Sequence, residues 1–514
     1  MASLFAPLPE SEFDAYHAAH LYWRAGFGCA WPQAEELAKK GLSGAVDLMF
    51  SWPEILPNVT PPPAGEMPKI TKQDFEATLQ DLPEMERNKA RNERNEEDRK
   101  RIGELKLWWL DRMNSAEQPL LEKLTLFWHG HFASSYEDKI EECFPMWQQN
   151  QLFRRMALAP LPQFMEAVAQ DGAMLIWLDN WQNRKGAPNE NYAREQMELF
   201  SMGPGPYTEK DVKEAARAFT GWSTTKDDYQ FQFHQGQHDK GEKTFLGQTG
   251  KWDGDDIIRI ICEHPATAHF MARKILDFFM CNNPPDELVE EGAAIYKEGG
   301  MSAKPLLEAI FRSKLFYGEF ALQKVVKSPV VLTLGALKAM NVADSDKQKM
   351  LDMLRLLGQD LFFPPDVNGW PGGMTWISSN TLLLRYNFSN YLLNGVSADD
   401  FKTFQKTDGM GAADRRAFVE EQRKENPSSW SPRRQLEERG IIKRLGSNQV
   451  LVEYFVREFL QRPVDRPTMD GFVKFCETDA AGGSADYSVA SKNFDERTRG
   501  LVHLIMSSPE YQLC

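Results

Sequence analysis

The sequence NYAREQMELFSMGPGPYTEKDVKEAARAFTGW, residues 191–222, contains the pattern that decides the fold class. Its first ten residues have the apolar spacing of a helix, and the two glycines that follow are typical of a helix end. Thr208 is then a predicted N-cap, and Asp211 completes a capping box at the start of a second helix. This stretch therefore predicts two helices joined by a glycine turn.

The same helical spacing recurs along the chain and dominates it. Segments with this pattern are 13–23, 32–49, 105–113, 119–128, 153–159 and 161–169. Strict alternation of polar and aromatic residues is clearest in YQFQF, Tyr229–Phe233, which predicts one short strand. The sequence therefore predicts a mainly α fold, a single large multi-helical body with at most a small β element near residues 229–247.

Changes in composition suggest a division of this body. We expect a main helical domain at residues 1–395, which carries a charged helical insertion near 84–104. Residues 396–445 are charged and poor in aliphatic side chains, as in a mobile or inserted segment. Residues 446–514 then form a C-terminal helical unit, whose helix pattern resembles that of residues 270–316 and suggests a duplication.

Charge and hydropathy exclude several classes of protein. The 514 residues include 74 acidic and 60 basic side chains, which gives a net charge of −14. Nucleic-acid binding needs clustered Lys and Arg, so we expect no nucleic-acid partner. No apolar run reaches the length of about 18 residues that a transmembrane helix needs. We therefore expect no transmembrane segment.

The N-terminal residues leave the compartment open between two alternatives. MASLFAPLPESEFDAYHAAH has neither a basic start nor a continuous apolar run, so it does not resemble a signal peptide. A cytoplasmic location follows if nothing has been removed, and export follows if a leader was cleaved. The six cysteines are scattered without a CxxC pair, which is typical of small buried side chains.

Two histidines in FWHGHF, His129 and His131, are the first candidates for chemistry. Gly130 stands where we expect the preceding helix to end, so both imidazoles could converge on one cleft. Histidine is a frequent acid, base and metal ligand, and His-x-His is a familiar ligand spacing. The alternative is a pair of hydrogen-bonded histidines that closes the helix end.

The second group of candidates lies in NENYAREQME. Glu195 and Glu198 share one helical face, where two carboxylates could act as acid and base or hold a cation. Together with the two histidines, Glu195 makes a possible set of ligands for a divalent metal ion. Arg194 can reach Glu198, so an Arg–Glu network that joins helices is the alternative. Asp179 and Asn191 add oxygen atoms nearby and are predicted substrate-binding residues.

Two further motifs complete the predicted site. His238 and Asp239 lie in a loop after the predicted strand, and loop residues of this kind often carry function. Trp370, in NGWPGG, is a predicted substrate-binding residue, because the adjacent glycines allow a tight turn that could place the indole at the rim of a cleft. The alternative for this loop is a rigid buried turn. We expect His129, His131, Arg194, Glu195, Glu198, His238 and Asp239 to converge in space.

Eight motifs in order then resemble one known family. They are RAGFG (24–28), LFWHGHF (126–132), NENYAREQMELFSMG (189–203), DVKEAARAFTGW (211–222), QHDKGEKTFLG (237–247), HPATAHFMARK (264–274), KSP (327–329) and PPDVNGWPGG (364–373). In this order the chain resembles the bacterial family named domain of unknown function 1800. The resemblance implies a largely helical protein, often exported and often encoded beside a sulfatase-like family, domain of unknown function 1501.

These observations support two functions of different classes. The first is a hydrolase-like enzyme, metal-assisted or not, that uses the His/Glu/Asp residues as its catalytic groups. The second is a non-catalytic binding or assembly protein whose partner is a sulfatase-like protein. HExxH, GxSxG, GxGxxG and P-loop motifs are absent from the sequence, which removes most support for zincin, α/β-hydrolase, Rossmann and P-loop proteins.

Overall fold

The computed structural model describes residues 3–53, 61–66, 72–136, 139–140, 142–225, 228–342, 347–394, 430–478 and 488–514. Within these ranges the chain forms 23 α-helices and two antiparallel two-stranded sheets. The predicted mainly α fold is confirmed. The capping box is confirmed as well, since Thr208 Oγ1 accepts a hydrogen bond from the Asp211 amide at 3.3 Å.

The chain forms two compact units. The first comprises Met1–Pro7, Val46–Phe316 and Asp360–Pro371, and the second comprises Leu8–Ala45, Tyr317–Gln359 and Gly372–Cys514. The division expected from the sequence, at residues 1–395, 396–445 and 446–514, stays a prediction. Most of the expected inserted segment, residues 396–429, lies outside the described residues.

The first unit contains most of the candidate chemistry. Its helices are α4 (Lys72–Thr78), α5 (Glu84–Ser115), α6 (Pro119–His131), α7 (Cys143–Arg155), α8 (Leu161–Ala169), α9 (Gly172–Trp177), α10 (Glu190–Glu198), α11 (Glu209–Ala218), α12 (Gly254–Glu263), α13 (Pro265–Phe279), α14 (Asp286–Glu298) and α15 (Ala303–Arg312). Its core is rich in aromatic side chains, and the central ones come from α6, α7 and α8.

Two short hairpins interrupt the helices of the first unit. Strand β1 (Trp222–Thr224) pairs with β2 (Phe231–Phe233), with Trp222 opposite Phe233. Strand β3 (Lys243–Phe245) pairs with β4 (Gln248–Gly250). The turn between β3 and β4 has positive φ at both central residues, 47° and 77°, as a two-residue hairpin requires. The predicted small β element is therefore confirmed, although the strand expected at Tyr229–Phe233 begins two residues later, at Phe231, and its partner β1 precedes the expected region.

The charged segment near 84–104 is the first part of one long helix. Helix α5 has 32 residues, and its early turns are mostly exposed and polar. Asp98 is an exception, since it is buried and lies beside Arg101 at 3.9 Å. Apolar side chains from Ile102 onward are buried, so the second half of α5 packs into the core.

The second unit is also helical. Its helices are α1 (Ala15–Ala25), α2 (Trp31–Ala38), α17 (Pro329–Met340), α18 (Lys347–Leu356), α19 (Ser379–Asn394), α20 (Pro432–Glu438), α21 (Asn448–Phe459), α22 (Arg466–Glu477) and α23 (Phe494–Met506). Helices α3 (Gly41–Met49) and α16 (Lys314–Tyr317) contain the residues at which the chain passes between units. The proposed duplication of 270–316 stays a prediction, although both segments form three helices.

Candidate functional site

Helix α6 carries both predicted histidines and continues through Gly130 to His131. The expected helix end at Gly130 is therefore wrong. A second backbone segment approaches α6 closely at this point, and it is that segment which requires glycine: a Cβ placed on Gly369 would lie 2.0 Å from the carbonyl oxygen of Gly130, whereas a Cβ on Gly130 would meet no atom closer than 3.7 Å. Gly369 also has φ of 84°, a conformation that favours glycine.

His129 lies fully inside the core and is uncharged. Its Nε2 accepts a hydrogen bond of 3.3 Å from Nδ2 of Asn150, whose Oδ1 is held by Arg154 at 2.8 Å. This arrangement assigns the imidazole proton to Nδ1. Burial, together with the nearby Arg154 guanidinium, lowers the pKa of His129 to about 3. The rings of Trp109 and Phe153 pack against the imidazole.

His129 is the last group in a series of buried hydrogen bonds. Arg154 donates from Nε and Nη2 to the two carboxylate oxygens of Glu122, at 2.7 and 2.8 Å. Arg112 binds the same carboxylate through Nε at 2.5 Å. Burial favours a raised pKa for Glu122, but the two guanidinium groups outweigh it and lower the pKa. Glu122 is therefore charged, and its charge balances that of Arg154.

His131 points into a different part of the core. Its Nε2 donates to the carbonyl oxygen of Phe200 at 3.0 Å, just beyond the end of α10. The rings of Phe127, Trp128 and Phe132 surround the imidazole. Burial and then the Lys274 ammonium lower the pKa of His131 to about 3, so this side chain is also uncharged. The two imidazoles thus make separate contacts.

The turn at Asn368–Trp370 packs against α6. A Cβ at Gly130 would lie 3.7 Å from Cε3 of Trp370, and the indole N–H of Trp370 donates to the carbonyl of Asp360 at 3.0 Å. The half-buried indole therefore lies beside the His129–His131 segment. Its role as a substrate-binding residue stays a prediction.

Helix α10 presents three charged candidates that have different partners. Arg194 makes a two-pronged ion pair with Glu209, at 2.7 and 2.8 Å, in place of the expected pair with Glu198. Glu198 accepts a hydrogen bond of 3.0 Å from the Tyr207 hydroxyl. Burial and the Glu198 carboxylate raise the pKa of Glu195, and Arg194 opposes the shift. The surroundings of Glu195 therefore disfavour its charged form.

Asp179 and Asn191 lie close together around one turn. Asp179 has φ of 59°, and its carboxylate accepts a hydrogen bond of 2.5 Å from Lys139. Asn191 donates from Nδ2 to the carbonyl of Leu178 at 3.3 Å. Both side chains are used in holding the turn that precedes α10. Their predicted role in substrate binding stays a prediction.

His238 and Asp239 are bound to α11 and the residues that follow it. Nδ1 of His238 donates to the carbonyl of Thr220 at 2.9 Å. Asp239 accepts from Nε of Arg217 at 2.8 Å and from the Gly241 amide at 2.8 Å. The Arg217 hydrogen bond is the main reason that the pKa of Asp239 falls to about 2. This arrangement holds the loop before β3.

The seven predicted catalytic residues therefore belong to several local networks. In the described ranges, no hydrogen bond or ion pair joins His238 or Asp239 to His129, His131 or Glu195. Nor does the described part of the chain contain a group of three or more His, Cys, Asp or Glu side chains placed to hold a metal ion. The metal alternative thus gains no support from these residues.

A cavity of about 620 Å³ opens in the first unit, away from the predicted residues. Its walls come from α7, the end of α8, the start of α9, β2 with the two residues before it, and Pro61. The polar and aromatic lining includes Trp147, Gln148, Gln151, Arg155, Asp171 and Tyr229. Its volume lies within the range of about 300 to 1,000 Å³ that small-molecule sites occupy.

Two charged groups in the cavity wall differ in environment. The exposed Arg155 makes no side-chain hydrogen bond or ion pair within the described residues. The surrounding protein and the adjacent Arg154 lower the pKa of Arg155, although a guanidinium stays charged at neutral pH. Burial raises the pKa of Asp171 to about 7, against the opposing hydrogen bonds from the Met174 amide and Gln149.

Tyr229 forms one wall of the cavity in a strained conformation. Its φ is 59°, which is unusual for an aromatic residue, and a Cβ on Gly172 would lie 2.4 Å from its carbonyl oxygen. The hydroxyl of Tyr229 donates to Glu142 at 2.7 Å. Glycine at 172 and the anchored hydroxyl together hold the hairpin against the start of α9, and strain of this kind is frequent at functional sites.

The cavity was missed because its residues form no familiar motif. The signal that could have found it is QQNQ, residues 148–151, a run of amide side chains between the aromatic residues of WQQNQLF, which the structure places in α7. Buried amides of this density need partners, either protein groups or a ligand.

The described residues also contain no helix with the length and apolar character of a membrane span.

Comparison with known proteins gives one match that spans the chain. The family described as Protein of unknown function (DUF1800) matches residues 20–513. Neither the functionally described proteins nor the solved structures compared with the chain give a match. The motifs that suggested this family include Gly369, where the close approach to Gly130 requires glycine, and Asp239, which binds Arg217. This chain belongs to the DUF1800 family of proteins of unknown function.

Proposed function

We propose that this chain is a binding protein that holds a small polar molecule in the cavity of its first unit. The observation that carries this proposal is the cavity itself, at about 620 Å³, with polar side chains in its wall. Gln148 and Gln170 are half-buried there, and their side-chain amides have no hydrogen-bond partner among the described residues. Such groups are available to a ligand.

The contacts of the predicted histidines also favour binding over catalysis. His129 and His131 are uncharged, buried and engaged with Asn150 and Phe200. A general acid or base needs a pKa near the working pH and access to substrate. Neither imidazole meets these requirements in its present surroundings.

Filling the cavity tests the proposal. The Ala167→Trp variant places an indole in the cavity, whereas Ala294→Trp adds the same group to an exposed position on α14. Thermal unfolding is measured with a panel of neutral sugars, uronic acids, sugar phosphates and dipeptides. We expect at least one compound to raise the Tm of the wild type and of Ala294→Trp, but not of Ala167→Trp.

Two results would overturn this proposal. One is a panel in which no compound changes the Tm of the wild type. The other is a Tm increase that persists in the filled cavity. Gln170→Trp fills the same space from the end of α8, and it replaces Ala167→Trp if that variant does not fold.

A hydrolase-like enzyme is the second candidate, and Glu195 is the observation that favours it. Its pKa is raised by burial and by Glu198, as expected for an acid in a carboxylate pair. Turnover of nitrophenyl esters and glycosides by the wild type, reduced at least about 100-fold in Glu195→Gln, would support this candidate. Absence of turnover, or equal turnover by the variant, would contradict it.

Assembly with a sulfatase-like protein of the domain of unknown function 1501 family is a further proposal. It rests on the family resemblance alone. A binding protein and an assembly protein are compatible, since a ligand in the first unit leaves other surfaces available to a partner. Co-purification of the two proteins expressed together, with retention on gel filtration, is the corresponding test.

A further inference from the structure

We infer that the ligand of the cavity is an organic anion, a hydroxylated molecule whose acidic group binds Arg155. This inference rests on the proposed function and specifies the chemistry of the same site. Two neighbouring arginines lead to this inference, because they carry the same charge but only one of them is paired with a carboxylate.

Arg154 and Arg155 follow each other at the end of α7, and both line the cavity. Arg154 is 1% exposed, and its charge is balanced by the Glu122 carboxylate at 2.7 and 2.8 Å. Arg155 has no such carboxylate within the described residues. Its five N–H donors therefore face solvent and the cavity, where a carboxylate or phosphate can bind in two-pronged geometry.

The remaining acidic group of the wall does not cancel this charge. Asp171 is held by the Met174 amide and by Gln149, at 3.0 and 2.8 Å, on the protein side of the wall. It makes no ion pair with Arg155. Burial favours its neutral form, so an anion that enters meets one uncompensated positive charge and no opposing full negative charge near neutral pH.

The rest of the lining indicates that the anion has a polar organic body. Inorganic phosphate would fill only a small part of about 620 Å³. Gln148 and Gln170 present side-chain amides, each able to donate and to accept, which matches hydroxyl groups, and Gln151 adds a third amide whose Nε2 already donates to Asn150. Leu152 and Phe231 provide apolar surface for the carbon atoms. A sugar acid or a sugar phosphate has this combination of groups.

The test compares molecules that differ only in the anionic group. Isothermal titration calorimetry measures binding of D-glucuronate, its neutral methyl ester, glucose 6-phosphate and inorganic phosphate to the full chain. We expect the wild type to bind at least one sugar anion at least tenfold more tightly than the methyl ester. Arg155→Gln should abolish this preference, and Arg155→Lys should retain part of it. Arg184→Gln, at an exposed arginine outside the cavity, should retain all of it.

The outcomes separate this inference from the proposed function. If the wild type binds glucuronate, glucose 6-phosphate and the methyl ester with equal affinity, the inference that the ligand is an anion is wrong. The proposal of a cavity that binds small polar molecules would remain. An anion preference that survives in Arg155→Gln also overturns the inference. If inorganic phosphate binds as tightly as either sugar anion, the inference that the ligand has an organic part is wrong. Preference for glucuronate over glucose 6-phosphate identifies a carboxylate as the natural group, and the reverse identifies a phosphate; either supports the inference.

Discussion

Arg154 binds both carboxylate oxygens of Glu122 inside the core, at 2.7 and 2.8 Å from Nε and Nη2. Through Asn150 the same guanidinium orients His129, and its other side forms part of the cavity wall. One side chain thus connects a residue predicted from sequence to a cavity that was not predicted.

Removing the charge of Glu122 should be strongly destabilising. In Glu122→Gln, the buried Arg154 loses its counter-ion, which costs about 3 to 5 kcal/mol of unfolding free energy. The matched control is Glu209→Gln, which removes the partner of Arg194 at a carboxylate 70% exposed. That change should cost under about 1 kcal/mol. Chemical denaturation measures both, and similar losses in the two variants would contradict a buried, structural role for Glu122.

His131 and Glu195 should respond to substitution in opposite ways. His131→Ala removes a buried ring and its hydrogen bond to Phe200, so we expect a loss of about 2 to 4 kcal/mol. Glu195→Gln removes a charge that burial and Glu198 disfavour, so the Tm at pH 7 should stay constant or rise. A loss of stability in Glu195→Gln comparable to that in His131→Ala would indicate that Glu195 belongs to a structural network.

Gly369 should not tolerate a side chain. Alanine at this position needs φ near 84° and a Cβ 2.0 Å from the Gly130 oxygen, which is shorter than any stable contact. We expect Gly369→Ala to cost about 2 kcal/mol or more. Gly372→Ala is the control, since φ there is −125° and a Cβ would meet no atom within 4 Å. If thermal unfolding shows the same small effect for both, the close approach to Gly130 is wrong.

Asp171 should make the protein less stable as the pH rises. Its pKa is about 7 in the folded protein and 3.8 ordinarily, so the folded state holds a proton that the unfolded chain releases. Stability from this group is present below about pH 4 and is lost as the pH rises to about 7. Asn keeps the N-cap of α9 without the charge. Asp171→Asn should therefore match the wild type near pH 4 and exceed it by about 1 to 3 kcal/mol at pH 8.

Asp465 provides a control of opposite sign for this pH dependence. It also caps a helix, α22, but its hydrogen bonds to Thr468 lower its pKa. Stability from Asp465 is present above its ordinary pKa and is lost as the pH falls, so Asp465→Asn should gain nothing between pH 4 and pH 8. Urea denaturation at several pH values distinguishes the two variants. A gain for Asp171→Asn that is equal at pH 4 and pH 8 would contradict the raised pKa.

The fold class could be predicted because local signals agree along the chain. Thr208 and Asp211 form their capping box within four residues, and the hairpin near residue 245 needs only its own turn. The requirement for glycine at 369 could not be predicted in this way, because it comes from the carbonyl oxygen of Gly130, which is distant in the sequence. Local patterns predict where helices start, but they carry no information about which distant backbone segment lies close to a given residue.

The candidate site was harder to predict for a related reason. His129 and His131 are conspicuous in the sequence, yet their burial depends on aromatic side chains from several helices. Arg154 and Arg155 are adjacent and identical in type, and only packing decides that one is paired and the other open. Asp171 acquires its raised pKa from burial, which no local pattern reports. Chemistry-bearing residues can be found in a sequence more readily than their partners.

The most direct test of the binding site is hydrogen–deuterium exchange of the full chain with and without a saturating sugar anion selected by calorimetry. The account predicts slower exchange in the cavity walls, at the end of α7, in α8 and around Tyr229–Phe233, with loss of this protection in Ala167→Trp. Protection confined to α10 and the Asn368–Gly373 loop, with none in the cavity walls, would contradict the account and place the ligand beside Glu195 and Trp370.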